Sequence, residues 1–224
     1  MTGRRLLVAL VALPALYVVI QFLPPVGFSL FIVACIVVGL WEWYGLFSGR
    51  MLRAAVLGAV VMVVGVLYIA GLLGHLILLR VLPGGPNLVL FVLAVTWLTD
   101  SAAYFGGRAW GKHALAPRVS PNKTIEGALS GFGGALVATW LGGWLWLPEL
   151  TVSDIVSLAL LLGGLGQIGD LVESKIKRVA GVKDSGRWIP GHGGLLDKID
   201  SLVFTAPTFY YYLVWFKGYG RLLI

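Results

Sequence analysis

The chain has 224 residues, 58% of them hydrophobic and only 12% charged, with a mean hydropathy of +0.91. That balance excludes a soluble domain, which needs far more charge to cover its surface, and makes lipid the natural solvent. The net charge of +7 would suit nucleic acid, but the apolar bulk excludes that partner and points to anionic headgroups or nucleotide phosphates.

Seven segments are long enough to cross a hydrocarbon core of about 30 Å. They cover residues 6–23, 28–47, 54–73, 88–105, 127–147, 152–172 and 199–216. The first begins like a signal peptide, with Arg4 and Arg5 before an apolar run, but Pro24 and Pro25 stand where a small-residue cleavage site would be, so it reads as a span. Residues 75–82 either extend the third span or form a short re-entrant or interfacial piece. The lone Cys35 lies inside an apolar run and excludes a disulfide framework and a metal–thiolate site. The fold class is therefore an all-α polytopic bundle of about seven transmembrane helices. Residues 1–95 supply N-terminal helices and residues 96–224 a catalytic region, within one membrane-embedded unit.

The positive-inside rule orients this bundle. With the N-terminus in the cytoplasm, 14 basic residues fall inside and three (Arg80, Lys217 and Arg221) outside. The inside set includes Arg50, Arg53, Arg108, Lys112, Arg118, Lys123, Lys175, Arg187 and Lys198. The expected place is the inner membrane, multi-pass, with a cytoplasm-facing polar site. The acids gather on the same side. Glu42, Asp100 and Asp170 lie inside spans near their cytoplasmic ends, where ionisable groups are costly and face a partner or an aqueous cavity.

Two loops carry the chemistry. On a helix continuing from the sixth span, Asp170, Ser174 and Lys177 or Arg178 share a face by i, i+4 spacing. Lys183 and Asp184 follow, then the turn Pro190-Gly191-His192-Gly193-Gly194, then Asp197-Lys198-Ile199-Asp200. Asp197 and Asp200 share a face at i, i+3. Carboxylates without His or Cys companions suit a hard cation such as Mg²⁺. The glycine turn lets backbone amides approach an anion. Together these describe a Mg²⁺–polyphosphate site. His192 either protonates a leaving group or fixes the turn. Ser120 and Asn122 either hold a nucleotide or cap the helix that follows. The small-residue faces Gly127-x₃-Gly131 and Ser130-x₃-Gly134 serve either a homodimer or the internal bundle.

The run Ser174-x₂-Lys177-Arg178-x₄-Lys183-Asp184-x₅-Pro190-x-His192-Gly193-Gly194-x₂-Asp197-Lys198-x-Asp200 resembles the signature of phosphatidate cytidylyltransferase, also called CDP-diacylglycerol synthase. Lys198 stands where that family usually has Arg. A second block, Asp100-Ser101-x-Ala103-Tyr104 through Arg108 to Ser120-Pro121-Asn122-Lys123-Thr124, is similar too, with Asn122 where Lys is common, and Trp41-Glu42-Trp43 also looks familial. The resemblance implies that CTP and phosphatidate give CDP-diacylglycerol and pyrophosphate. It implies Mg²⁺ on Asp184, Asp197, Asp200 and Asp170, with a second monovalent cation such as K⁺ beside it. Lys177, Arg178, Lys183 and Lys123 would offset phosphate charge. Ser174, Gly193, Gly194, Lys198, Asp100 and Arg108 would complete the substrate contacts.

Two rivals remain at this stage. A CTP-dependent polyprenol or phytol kinase would share the bundle, but the block from His192 to Asp200 favours the cytidylyltransferase. An ion-coupled transporter would place its acids near the midplane between repeats, and no internal repeat is visible. The orientation generates a direct test. A reporter fused after residue 216 is expected to be active only outside the cytoplasm, and cytoplasmic activity would overturn the seven-span arrangement.

Overall fold

A computed structural model describes residues 2–48, 55–186 and 193–219. The helices are α1 (Thr2–Phe22), α2 (Pro25–Phe47), α3 (Ala55–Val66), α4 (His75–Val81), α5 (Gly85–Trp110), α6 (Ile125–Trp146), α7 (Val152–Ala180), α8 (Leu196–Ile199) and α9 (Leu202–Phe216). Five helices are long and apolar enough to cross a membrane, and α1 and α9 complete seven crossings. Outward faces such as Val56, Val60 and Val63 of α3 are exposed, as expected where lipid is the solvent.

Residues 75–82 extend the third span. Val56–Val81 is one apolar crossing, interrupted by a π-turn at Leu67–Gly71 and a bend at Gly74. The bend has a local cause. Trp43 of α2 lies against Gly65, where any Cβ would collide with its indole, and its Nε1 donates to the Val61 carbonyl (3.0 Å) just before the π-turn.

The chain alternates between two ends of the bundle. At one end Arg80 donates to the Leu23 carbonyl (2.7 Å), Gln21 donates to Asn87 (3.3 Å), and Lys217 pairs with Asp154 (2.8 Å). Asp154 also closes a capping box with Thr151 and accepts from the Tyr212 hydroxyl, so it fastens the start of α7 to the end of α9. The opposite end carries the polar loops. Between the ends, α5 and α9 are joined by Thr96–Thr205 (2.8 Å) and, one turn on, by Ser201 donating to Asp100 (3.1 Å).

One small sheet was absent from the sequence reading. Ala114–Ala116 (β1) pairs antiparallel with Ser120–Thr124 (β2), in the register Ala114↔Thr124. Ser120 and Asn122 therefore lie on a strand, and the α6 cap is Thr124, whose hydroxyl accepts from Gly127 N (3.1 Å). Glu126 ties the hairpin to this helix start by accepting from the backbone of Lys112 and His113 and meeting the His113 ring (2.6 Å).

The small-residue faces are used inside the bundle. A Cβ at Gly127 would stand 2.8 Å from the Ala103 carbonyl oxygen and 3.0 Å from Gly107 Cα, and one at Gly134 would clash with Ala102. The homodimer thus loses the motif that raised it. Gly127→Val is expected to cost about 1–3 kcal/mol by overpacking the α5–α6 seam. Gly133→Ala, with open space around it, is expected to leave detergent-extracted protein as heat-stable as before. Equal melting temperatures for the two variants would contradict this packing.

Candidate active site

The helix of the sixth span does continue past the membrane, and it brings its polar face to the signature loop. Asp170, Glu173 and Lys177 of α7 follow at i, i+3 and i+7, and opposite them stand Asp197 and Asp200. Lys177 Nζ holds Glu173 (2.5 Å) and Asp197 (2.7 Å) at once, with all three side chains nearly shielded from solvent. Asp200 lies within Coulombic reach of Asp170, Glu173 and Asp100. The i, i+3 spacing of Asp197 and Asp200 thus turns both toward α7.

From the hairpin, Lys123 reaches Asp170 (2.6 Å), and its ammonium is shielded from water. Asp100, Tyr104 and Arg108 of α5 join Asn122, Lys123 and Asp170 around a cavity of about 400 Å³. That volume lies in the range of small-molecule sites. Five carboxylates (Asp100, Asp170, Glu173, Asp197 and Asp200) therefore meet two directly paired lysines. Such a deficit of positive charge at a membrane boundary calls for a cation.

The signature loop is held differently from the sequence reading. The left-handed Gly181 (φ 76°) ends α7, and Lys183 and Asp184 follow on the exposed surface. Asp197 accepts from the backbone N–H of Ser185 (3.1 Å) and Gly194 (2.8 Å) as well as from Lys177. Glu42, buried on α2, accepts from Ser185 Oγ (2.9 Å), Leu195 N (2.8 Å) and Leu196 N (2.9 Å). Any Cβ at Gly194 would collide with Ser185 and Glu42, and one at the left-handed Gly193 (φ 87°) with Asp197. The glycine turn does bring amides to an anion, but the anions are the chain's own carboxylates. Gly194 is thus no free donor to a substrate.

This changes the metal set. Asp197 has both oxygens occupied, and Asp184 is exposed beyond α7, so neither gathers with Asp170 and Asp200. Among the described residues no three His, Cys, Asp or Glu side chains close around one metal position. Ser174 is buried under the loop. Arg178 donates to the carbonyls of Val119 (3.2 Å) and Val182 (3.0 Å) and so pins the hairpin turn to the end of α7. Lys198 is exposed. His192, with Arg50, Arg53, Arg187, Pro190, Gly191 and Arg221, lies outside the described residues.

Three site residues escaped the sequence reading. Glu173 is absent from the residues singled out in the sequence, although its i, i+4 spacing to Lys177 marks the pair. Gln167 lines the cavity and donates to the Ala128 carbonyl. The Tyr68 hydroxyl, set by the π-turn, is buried without a hydrogen-bond partner among the described residues, within Coulombic reach of Glu173, Asp200 and Asp170. No sequence signal marks Tyr68 apart from an ordinary lipid-facing aromatic.

Against this geometry stands a comparison with known proteins. The sequence model of the cytidylyltransferase family matches residues 52–216. The chain belongs to the cytidylyltransferase family. Among its relatives are the phosphatidate cytidylyltransferases of Brucella suis, 50% identical over 136 residues (57% of this chain and 47% of that protein), and of Synechocystis, 47% identical over 133 residues (59% and 45%). The uncharacterized protein YnbB of Escherichia coli is 47% identical over 146 residues (63% and 49%). The chain spans about half the length of the curated relatives it matches. The family match begins in the segment before α3 and takes in every residue of the acid cluster, leaving Glu42 outside it.

The loop staple makes a pH-dependent prediction. Burial pushes the Asp197 carboxyl up, but the hydrogen bonds from Lys177, Gly194 N and Ser185 N outweigh it and hold the group below the usual carboxylate range. A depressed folded value means stabilisation that is complete above the unfolded value, about pH 4, and lost as pH falls through the folded value. Asp197→Asn is expected to cost about 3 kcal/mol near neutrality, the scale for removing one partner of a buried pair. The gap from wild type should narrow below about pH 4. A gap that is flat from pH 7 to pH 3 in thermal unfolding would refute the staple.

Proposed function

We propose that the protein transfers the cytidylyl group of CTP to phosphatidate, giving CDP-diacylglycerol and pyrophosphate, at the cytoplasmic face of the inner membrane. The observation that carries the reading is the cavity at one end of a membrane bundle, lined by Asp100 of α5, Lys123 of β2 and Asp170 of α7, with Asp200 within Coulombic reach of both acids. Family membership and the names of the Brucella and Synechocystis relatives support it.

The chemistry needs no strong base, because the phosphatidate phosphate is already an anionic nucleophile. Its oxygen attacks the α-phosphorus of CTP, the α–β bridging bond breaks, and pyrophosphate leaves with the electron pair. The barrier is the approach of two anions, so positioned positive charge and alignment are what the protein must supply. Lys123 and Arg108 face the cavity and offset phosphate charge. Asn122 has amide donors and acceptors beside them for the nucleotide. Lys183 and His192, both members of the signature run in the sequence, are assigned to the departing pyrophosphate.

The donor set fits a hard cation in chemistry, being all oxygen and short of positive charge. Asp170 and Asp200, with Asp100 within Coulombic reach of both, are the residues that would hold Mg²⁺. When bound, Mg²⁺ neutralises and orients the polyphosphate. A monovalent ion such as K⁺ would answer the remaining carboxylate charge.

Purified protein with radiolabelled CTP and phosphatidate in mixed micelles is expected to form labelled CDP-diacylglycerol only with Mg²⁺ present. Asp200→Asn is expected to lower kcat by on the order of 100-fold or more with unchanged melting behaviour. Asp170→Asn is expected to lower kcat on the same scale while also lowering the melting temperature, because it takes the partner of Lys123. Label transferred from the γ-phosphate instead of the cytidylyl group would identify a lipid kinase and sink the proposal.

A further inference from the structure

The bundle holds a second cleft of about 590 Å³, walled by α1, α2, α4, α5 and the α8–α9 segment. Its lining is apolar except at one point. Lys198 is the only charged residue among those described on its wall. Phe28, Leu76 and Val89 lie toward the end of the bundle marked by Arg80 and Asn87, and Trp97, Ile199 and Lys198 toward the signature-loop end. Val89 to Trp97 alone is about 12 Å along a helix. The cleft is therefore elongated along the helices, with Lys198 on its wall at the loop end. At the other end Arg80 lies behind the wall residue Phe28, with its guanidinium given to the Leu23 carbonyl.

That shape and charge select an amphiphile. A nucleotide would leave its ribose and base hydroxyls and amides unpaired against Val, Leu and Phe walls, whereas an acyl chain needs no polar partner and its phosphate needs one cation. The cleft also abuts the acid site. Trp97 on its wall and Asp100 on the wall of the polar cavity are less than one helical turn apart on α5, roughly 4.5 Å along the axis. Lys198 likewise stands two residues from Asp200. We propose that this cleft seats an acyl chain of the phosphatidate substrate, with the lipid phosphate at Lys198. The proposal rests on the cytidylyl-transfer reading for the identity of the lipid. It assigns Lys198 to the lipid, and Lys123 with Arg108 to the nucleotide.

Cys35, the only cysteine of the chain, lies on the cleft wall and reports its occupancy without reference to turnover. Full-length protein in non-ionic detergent is alkylated with N-ethylmaleimide in the presence of dioleoyl phosphatidate, dioleoyl phosphatidylcholine or CTP, and the modified Cys35 is counted by mass spectrometry. Phosphatidate at about ten times its dissociation constant is expected to slow alkylation about tenfold by mass action, while CTP alone leaves the rate unchanged. Lys198→Ala is expected to weaken that protection about tenfold, the scale of one charged hydrogen bond, and Lys198→Arg to keep it. Ala15→Trp, at the exposed rim on α1, tests the cleft without disturbing the core and is expected to raise KM for phosphatidate but not for CTP.

Equal protection by phosphatidylcholine would make the cleft a general lipid groove and overturn the proposal. Protection that follows protein concentration without added lipid would assign the cleft to a second copy of the chain, and no lipid effect at all would also overturn it. Protection by phosphatidate in a wild-type protein that does not turn over CTP would defeat the proposed reaction and leave the phosphatidate site standing.

Discussion

Lys177 touches Glu173 on its own helix and Asp197 across the loop, and both contacts lie where water hardly reaches. A lysine in that position fixes the distance between α7 and the segment leading into α9, because moving either away leaves a buried charge unpaired, at several kcal/mol. Everything polar at this end depends on the distance so fixed. It sets Asp200 opposite Asp170 and Glu173, and it holds the start of α9 where Ser201 can reach Asp100. Glu42 completes the grip from α2, taking the two amides that follow the glycine turn. The loop is thus clamped from two sides, by Asp197 on Lys177 and two backbone amides and by Glu42 on two backbone amides and the Ser185 hydroxyl.

Clamping leaves a second group of acids without such partners. Asp100 comes from α5, Asp170 from α7 and Asp200 from the turn between α8 and α9, and Lys123 pairs with Asp170 and lies within Coulombic reach of Asp100. The two groups sit on the same face of α7 within two turns, yet their electrostatics are opposite. One is tied to Lys177 and to backbone amides and is structural, while the other is short of positive charge, with Asp100 and Asp170 on the wall of the polar cavity. A division of this kind follows from membrane physics. Repulsion between unneutralised carboxylates at the edge of a low-dielectric medium would open the bundle unless the neighbouring contacts were satisfied in full.

Much of this was legible in the sequence. Span count, the continuation of the sixth helix and the face shared by Asp197 and Asp200 all follow from apolar length and helical periodicity, which depend on local chain geometry alone. The hairpin 114–124 was not legible, because its strands are three and five residues long with no Asn-Gly or Asp-Gly turn, and its stability comes from Glu126 and Arg178, which reach it from the helices. The tasks of Glu42 and Asp197 were hidden for a different reason. Spacing says which side chains share a face but not whether a carboxylate meets a metal, a lysine or an amide. Asp197 and Asp200 look equivalent three residues apart, and only the position of Lys177 and the turn at Gly194 separates the stapled one from the free one.

The two cavities give this arrangement its logic. On the proposed reading, a water-soluble nucleotide and the acyl chains of a membrane lipid need surroundings of opposite polarity beside one reaction centre. Here the seam formed by Ser201 with Asp100 and by Thr205 with Thr96 runs between a polar cavity and an apolar cleft. Asp100 lines the polar cavity, and Trp97 and Leu202 line the apolar cleft, so on the proposed reading neither substrate need pass through the other's compartment. The inner contact, Thr96 with Thr205, joins hydroxyl to hydroxyl, so it can lie at this depth without a counter-ion. At its polar edge stand Asp100 and Asp200, where an anion from each side would meet. On the proposed reading, the phosphates that must react are brought together only there, and the helix pair that separates the substrates is also the pair that carries the acids joining them.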